Sequence, residues 1–303
     1  MSLPEPVAAV IPLQPRRKPA TALLVALRPR QWTKNLLLFA GIVFASEVGS
    51  QGKWLQAGTA FLVYCAASSA AYLVNDLIDA PSDRKHPVKR RRPLARGEVD
   101  IRTAKVVAAA LVGLATALAA AFGIAALGFL ALFLAIQAAY TFRLKHVVLI
   151  DVMAIAALFV IRAAAGADAV NVRISPWLLV CTALLALFLA LGKRRSELAL
   201  VGAEATPGRP VLEGYSLQLV DQLIAIVAAA TVVSYTTYTL LGRESQALAA
   251  TIPFVLFGIF RYLLLLHRAG KGEEPENVLM TDAPILAAVA AWAVACAAIL
   301  ALG

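Results

Sequence analysis

The stretch from Asn75 to Asp83 carries an amide and three carboxylates at helical spacing. Asn75 and Asp79 are four residues apart and Asp76 and Asp79 are three apart, so these side chains are neighbours on a helix. They close a long apolar run, where acids are costly and usually functional. Their oxygens suit Mg²⁺, which typically takes one or two carboxylates plus substrate phosphates. Pro81 is expected to end the helix, leaving Asp83 on the loop.

A strongly basic segment follows the acids immediately. Six of the nine residues from Arg84 to Arg92 are Lys or Arg, more than membrane orientation requires, and anionic headgroups would explain only part of this charge. A solvated helix end, with the acids paired to Arg84 and Lys85, is the structural alternative, but carboxylates are unfavourable at a helix C-terminus. Acids and bases side by side indicate a metal–diphosphate site, in which the metal bridges phosphate oxygens and basic side chains bind the rest.

Further polar residues are predicted at the same depth, at the ends of other helices, although the chain alone does not show that they converge. They are Arg28, Arg30, Gln31, Lys34 and Asn35 before the first apolar run; Tyr140, Lys145 and Asp151 around the fourth-to-fifth turn; and Lys193, Arg194, Arg195 and Glu197 after the sixth run. Deeper in the apolar runs, Arg162, Asp221 and Arg261 are candidates for either a structural ion pair among themselves or a ligand role.

The elements that must position these residues are membrane helices. Of the 303 residues, 61% are apolar and 15% charged, and the mean hydropathy is +0.78, whereas a soluble domain is nearer 45–50% apolar and about 25% charged. This balance makes nucleic-acid binding and a secreted disulfide scaffold poor interpretations. Nine apolar runs approach the length of a membrane-spanning helix: 35–46, 54–78, 103–123, 126–142, 147–167, 176–192, 218–241, 249–267 and 283–302.

The distribution of basic residues predicts the orientation of these nine runs. With nine spans, 23 of the 28 Lys and Arg residues fall on one side, three on the other (Lys53, Arg173 and Arg243) and two within spans. Such a split indicates a cytoplasmic N-terminus and an external C-terminus. Residues 1–20 are predicted to be a disordered cytoplasmic tail and residues 21–303 one transmembrane domain, with basic active-site loops at about 79–102 and 193–215. The three cysteines and three histidines show no metal-ligand spacing.

Several of these patterns resemble a known family. Asn75-Asp76-x-x-Asp79-x-x-x-Asp83 resembles the NDxxDxxxD motif of the UbiA superfamily of intramembrane prenyltransferases, and Tyr140-x-x-x-Leu144-Lys145 followed by Asp151 resembles its YxxxLK…D region. Within that superfamily the chain is most similar to the branch that transfers 5-phosphoribose to decaprenyl phosphate. The patterns behind this closer resemblance are Leu27-Arg28-Pro29-Arg30-Gln31-Trp32-x-Lys34-Asn35, Asp83-Arg84-x-His86-Pro87-x-Lys89-Arg90-x-Arg92-Pro93, Ile161-Arg162-Ala163-x-Ala165-Gly166, Gly192-Lys193-Arg194-x-x-Glu197-Leu198, Arg261-Tyr262 and Glu274-Pro275-Glu276.

The resemblance implies an all-α polytopic membrane enzyme, a nine-helix UbiA-like bundle whose active-site cavity faces the cytoplasm at a bacterial plasma membrane. The implied reaction moves 5-phosphoribose from 5-phosphoribosyl 1-diphosphate to decaprenyl or another polyprenyl phosphate and releases diphosphate, a precursor step for cell-wall arabinan. The sequence leaves a homo-oligomer open.

The resemblance also implies roles for individual residues. Mg²⁺ would bind Asn75, Asp79 and Asp83, the catalytic group would be Asp76, Asp79 and Asp83, and Asp76 or Asp79 would stabilise an oxocarbenium-like ribose carbon. The implied phosphate-binding residues are Lys34, Arg84, Lys89, Arg90, Arg92, Tyr140, Lys145, Lys193 and Arg194.

One departure from the wider superfamily separates the alternatives. Many members carry a second DxxxD motif after the sixth span, which helps to bind a prenyl diphosphate, whereas here that position reads Lys193-Arg194-Arg195-Ser196-Glu197. Cations there suit the 5-phosphate of a phosphoribosyl donor. The first alternative is a prenyltransferase that uses a prenyl diphosphate donor and an aromatic or lipid acceptor. The second is a transporter or lipid carrier, against which the odd number of spans and the lack of a visible repeat argue.

Overall fold

The computed structural model describes residues 16–44, 49–85, 89–173, 175–201, 210–242, 246–268 and 281–302. Every regular element in these ranges is a helix. Some predictions fall outside the described residues: the tail up to residue 15, His86, Pro87, Arg209, Arg243, Lys271 and the Glu274-Pro275-Glu276 pattern.

The N-terminal part is a chain of short helices. Helix α1 (Pro19–Leu27) is followed by a 3-10 helix, Pro29–Phe39, and by α2, Ala40–Phe44. Between α1 and the 3-10 helix, Arg28 adopts the left-handed conformation with φ of 54°. The predicted first run, 35–46, therefore begins inside a 3-10 helix. Helix α1 begins at Pro19, so the last two residues of the predicted tail, 1–20, are helical.

Eight helical stretches of the described chain are long and apolar enough to cross a membrane. They match the second to ninth predicted runs, so the prediction of an all-α polytopic bundle is confirmed. They are α3 (Gln51–Asp83), α4 (Ile101–Ala120), α5 (Ile124–Phe142), α6 (Ile150–Ala169), α7 (Pro176–Val201), α8 (Leu217–Leu241), α9 (Ile252–His267, continuing from a 3-10 turn at Gln246–Thr251) and α10 (Ala283–Leu302).

Two helices run further than the sequence predicted. Helix α3 continues through Pro81 and ends at Asp83, so the expectation that Pro81 places Asp83 on a loop is wrong. The last turn survives because the Arg84 amide still donates to the carbonyl of Ala80, 3.2 Å away. Helix α7 continues to Val201, so the start of the predicted loop 193–215 is helical.

The interior of the bundle is built around α3 and α6. In their most apolar stretches 61% and 67% of residues lie inside the molecule, against 11% in α10. The side chains between them are small, such as Ala67 on α3 and Ala165 on α6. Small residues let helix backbones approach closely in a membrane, where burial of apolar surface does not drive helix association.

The 3-10 helix lies almost in backbone contact with α6. A Cβ atom added at Gly166 would come within 2.6 Å of the Cα atom of Leu38, and one at Gly41 within 2.9 Å of the Cα atom of Ala167. These two glycines therefore let the N-terminal segment lie against the centre of the bundle, where Arg28 reaches Asp76 on α3.

Candidate active site

The acids at the end of α3 are bound by two arginines from different parts of the chain. Asp76 is 1% exposed and Asp83 is 3% exposed. The Asp76 Oδ1 atom accepts from Arg28 Nη2 at 2.5 Å and from Arg92 Nη1 at 3.2 Å, and Arg92 Nη1 also donates to Asp83 Oδ2 at 2.7 Å. The Asp76 Oδ2 atom is buried without a hydrogen-bond partner. Arg28, Asp76, Arg92 and Asp83 thus form an alternating row of charges, defined here as the acid–base row.

The third acid of the motif faces a different cation. Lys145, in the 3-10 turn Leu144–His146, places its Nζ atom 2.8 Å from Asp79 Oδ1. The other carboxylate oxygen of Asp79 accepts from the amide of Asn75 at 2.9 Å. Asn75 and Asp79 therefore share a helix face, as their spacing predicted. The turn between α5 and α6, which carries Lys145, contacts α3 at this point.

A second buried charge network lies where α6 begins. Asp151 is fully buried, and its Oδ2 atom accepts from Arg194 Nε at 2.7 Å while its Oδ1 atom accepts from the Tyr215 hydroxyl at 2.6 Å. Arg194, itself 1% exposed, also pairs with Glu197 one turn further along α7. Arg194 was predicted to bind phosphate, but the structure buries it. Its charge is neutralised there by the carboxylates of Asp151 and Glu197.

Tyr215 connects this network to a strained turn. Its hydroxyl accepts from the backbone amide of Leu149 at 2.7 Å, and Leu149 has a φ of 68°, a left-handed conformation that costs a bulky residue about 1–3 kcal/mol. Burial first, and then the hydrogen bond to Asp151, raises the pKa of Tyr215 well above its ordinary value. The hydroxyl proton that Asp151 accepts is therefore retained at neutral pH.

The loop that carries Arg92 is held by Glu98, whose side chain is fully buried. Glu98 accepts from the Arg17 guanidinium at 2.9 Å and from the Arg17 backbone amide at 3.3 Å, and it pairs with Arg96 at 3.1 Å. Arg17 was predicted to belong to a disordered tail, and Glu98 was not singled out by the sequence. A lone Glu in a basic loop gives no spacing signal, so only the fold reveals its two partners.

The remaining predicted phosphate-binding residues differ in exposure to solvent. Arg84 and Arg90 are exposed, and Arg84 Nε donates to the carbonyl of Ala95 at 3.3 Å. Four more are half-buried: Lys34, Lys89, Tyr140 and Lys193. Tyr140 lies close enough to Arg194 for an electrostatic interaction.

The three deeper polar residues do not pair with one another. Asp221 binds Arg195 at 2.6 Å, and Arg261 binds Asp282 at 3.0 Å. Arg162 donates to Asn35 at 2.7 Å and stacks over Phe133, with its guanidinium carbon 4.7 Å from the ring centre. Of the two alternatives left open by the sequence, the ion pair among these three residues is therefore wrong, since each has a partner supplied by another element.

The motif places two possible Mg²⁺ ligands, Asn75 and Asp79, next to each other, but it does not bring three carboxylates together. Within the described residues no group of three or more His, Cys, Asp or Glu side chains could hold a metal ion, and Asn75 and Asp83 are separated by a helical rise of about 12 Å. Asn75 and Asp79 lie side by side. Hard oxygens of this number suit Mg²⁺, because it completes its shell with water and substrate phosphates.

Comparisons with known proteins point in one direction. Residues 36–281 match the model of the UbiA prenyltransferase family. A decaprenyl-phosphate phosphoribosyltransferase from Corynebacterium glutamicum is 33% identical over 289 residues, 92% of this chain and 86% of that protein. One from Mycolicibacterium smegmatis is 34% identical over 298 residues, 92% of each chain.

The fold has solved counterparts as well. A UbiA homolog from Archaeoglobus fulgidus, solved bound to DMAPP and Mg²⁺, superposes with a TM-score of 0.72 at 20% sequence identity, over 93% of this chain and 100% of that one. At this identity the similarity concerns the fold alone.

Proposed function

The chain belongs to the UbiA prenyltransferase family, and we propose that it transfers 5-phosphoribose from 5-phosphoribosyl 1-diphosphate to a polyprenyl phosphate such as decaprenyl phosphate. The observation that carries the proposal is the convergence of Asp76, Asp79 and Asp83 with Arg28, Arg92 and Lys145 at one end of a membrane bundle. The names of the relatives that cover most of the chain support this donor branch.

The cations of the site would bind the diphosphate of the donor. Lys145 and Arg92 each lie within 3 Å of a carboxylate, so donor binding exchanges a carboxylate for phosphate oxygens, which are stronger charge-assisted partners. Asn75 and Asp79 would hold Mg²⁺, which when bound neutralises part of the charge of the leaving diphosphate. Asp83 then keeps Arg92 in place from the other side.

The chemistry asks for charge stabilisation and needs no strong base. The bond between C1 of ribose and the diphosphate breaks with its electron pair on the diphosphate, and an oxygen of the acceptor phosphate forms the new bond to C1. That oxygen is already ionised at neutral pH. Asp76, buried and with Oδ2 unpartnered, is the carboxylate we assign to stabilise positive charge on the ribose carbon.

The residues that stand in place of the second DxxxD motif favour a phosphoribosyl donor over a prenyl diphosphate. The end of α7 presents Lys193 and Arg194, and its nearest acid, Glu197, is paired with Arg194. No second carboxylate pair is therefore available in this described part of α7 for another metal. We assign Lys193, which is half-buried, to the 5-phosphate of the donor.

The proposed setting is a bacterial plasma membrane with the site on the cytoplasmic face, where the lipid product would supply pentose for cell-wall arabinan. Purified protein, given labelled 5-phosphoribosyl 1-diphosphate, polyprenyl phosphate and Mg²⁺, is expected to form a labelled lipid and to release one diphosphate per transfer. A lipid product that forms only from a prenyl diphosphate would move the assignment to the prenyltransferase alternative. Lipid movement across proteoliposomes without covalent product would instead support a carrier.

Substitution of the motif separates the metal role from folding. Asp79→Ala is expected to abolish Mg²⁺-dependent transfer while the protein remains folded, because Asn75 alone cannot hold the ion. Asp83→Ala is expected to abolish transfer as well, through the loss of the partner of Arg92. Turnover like that of the wild type in the Asp79 variant would contradict the metal assignment.

A further inference from the structure

Tyr215 is not part of any motif that the sequence suggested, yet it touches two elements of the site. Its hydroxyl donates to Asp151 and accepts from the backbone amide of Leu149. Its ring is 6% exposed and belongs to the core between α6, α7, α8 and α9. The hydroxyl therefore both donates and accepts a hydrogen bond, and the residue itself is almost fully buried.

The two bonds end on the segment that carries Lys145. This segment, residues 144–151, runs from the 3-10 turn of Lys145 through the left-handed Leu149 to Asp151 at the start of α6. The 3-10 turn Pro210–Gly214, which directly precedes Tyr215, packs closely against this segment. A Cβ atom at Gly214 would collide with the side chain of Val148. The segment is thus fixed on one side by Tyr215 and extends Lys145 to Asp79 on the other.

Leu149 has no internal reason to adopt a positive φ. A leucine in this conformation is strained, and the hydrogen bond from its backbone amide to the Tyr215 hydroxyl is a contact from outside the turn that favours it. Asp151 adds a second attachment, because Arg194 binds its other oxygen. Removal of the Tyr215 hydroxyl would leave the Asp151 Oδ1 atom and the Leu149 amide without these hydrogen bonds.

We propose that Tyr215 is a positioning residue for the transfer reaction: through Leu149 and Asp151 it holds the 144–151 segment in the strained turn that presents Lys145 to Asp79 and the donor diphosphate. Arg194 belongs to the same positioning device and does not bind phosphate. The inference rests on the proposed function only in taking Lys145 as part of the site.

The test is a double-mutant cycle between Tyr215 and Lys145. Tyr215→Phe keeps the ring and is expected to lower kcat/KM by about 10–100-fold, the range seen when a supporting partner of a site residue is removed. In a Lys145→Gln background the same change is expected to cost less than about 3-fold, because residues that act through one another are not additive. Fully additive losses would overturn the proposal.

A second variant tests the role of strain. Glycine adopts positive φ without penalty, so Leu149→Gly combined with Tyr215→Phe is expected to recover at least about 3-fold of the lost kcat/KM. A matched control is Tyr235→Phe, which removes another buried tyrosine hydroxyl, located in the C-terminal half of α8 and hydrogen-bonded to Thr251 and Trp292. That variant is expected to retain the kcat/KM of the wild type. An equal loss in both Tyr variants would show a merely structural effect.

One readout does not depend on the reaction. The rate at which the Lys145 amine is acetylated by acetic anhydride, followed by mass spectrometry without substrates, is expected to rise several-fold in Tyr215→Phe and to stay at the wild-type rate in Tyr235→Phe. An unchanged rate in Tyr215→Phe would overturn the positioning role. If wild-type protein transfers no phosphoribose, the proposed function fails while this measurement still decides the role of Tyr215.

Discussion

At the scale of single residues, the site is a set of ion pairs between the acids of α3 and cations from other parts of the chain. Each acid of the α3 motif is bound to a cation from another element: Asp76 to Arg28, Asp79 to Lys145 and Asp83 to Arg92. A buried carboxylate without such a partner would be costly. The arginines and the lysine therefore stabilise the folded protein before they contact a substrate.

Arg92 is the cation that binds two acids of the motif, Asp76 and Asp83, at once. We expect Arg92→Met to destabilise the protein by about 2 kcal/mol, less than the 3–5 kcal/mol of a fully buried pair, because its side chain is 26% exposed. Thermal unfolding in detergent measures this as a midpoint several degrees lower. Arg91→Met, at an exposed neighbour, is the matched control, and an equal shift in both variants would contradict the role of the row.

Tyr215 gives the site a defined dependence of stability on pH. Because the pKa of Tyr215 is raised in the folded state, its contribution is fully present below the ordinary tyrosine pKa of about 10 and is lost as the pH rises from there through the folded-state value. The difference in unfolding midpoint between wild type and Tyr215→Phe should be constant from about pH 6 to 9 and shrink above about pH 10. A difference that shrinks already between pH 6 and 8 would contradict this assignment.

The sequence identified the acids of this site better than their partners. Asn75, Asp76, Asp79 and Asp83 stand out because acids are rare in apolar runs and their spacing is local. Arg28 was noticed only as one of several polar residues, and Glu98 and Tyr215 were missed. Their contacts Arg28–Asp76, Glu98–Arg17 and Tyr215–Asp151 join residues 48 to 81 positions apart in the chain, and no local pattern encodes a contact over that distance.

At the scale of elements, the long helices could be predicted and their ends could not. Apolar length alone gives α3 to α10, because a span must satisfy its backbone internally. The predicted end of α3 at Pro81 is too early, since the Arg84 amide and the contacts of Asp83 continue the helix by two more residues. The 3-10 helix Pro29–Phe39 was not foreseen, since its polar residues are placed by α3 and α6.

The close approach of this 3-10 helix to α6 makes Gly166 sensitive to one added methyl group. Gly166→Ala would put a Cβ atom against the backbone of Leu38, and we expect the unfolding midpoint to fall by more than about 5 °C, with loss of transfer as Arg28 shifts. Gly113→Ala in α4 is the control, because nothing lies within 4 Å of its added Cβ atom. That change should leave the midpoint unchanged or raise it slightly, and equal behaviour of the two variants would argue against the close contact.

At the scale of the whole molecule, the alternation of basic and neutral loops predicts the orientation in the membrane. After replacement of the native cysteines, Arg91→Cys and Ala121→Cys each place a thiol at an exposed position, one in the loop before α4 and one directly after α4. A membrane-impermeant thiol reagent is expected to label the first only in inside-out vesicles and the second only in right-side-out vesicles. Labelling of both from the same side would contradict the predicted arrangement.

The pairing of the site's charges also sets a threshold for what can bind there. An incoming anion does not meet bare cations, because it must replace a carboxylate that already lies within 3 Å of Arg28, Lys145 or Arg92. Chloride or a single sulfate offers less than the carboxylate it would displace, whereas a diphosphate that arrives with a divalent ion satisfies the cations and the released acids together. We therefore expect the acid–base row and the Lys145–Asp79 pair to select against small anions without any change of shape.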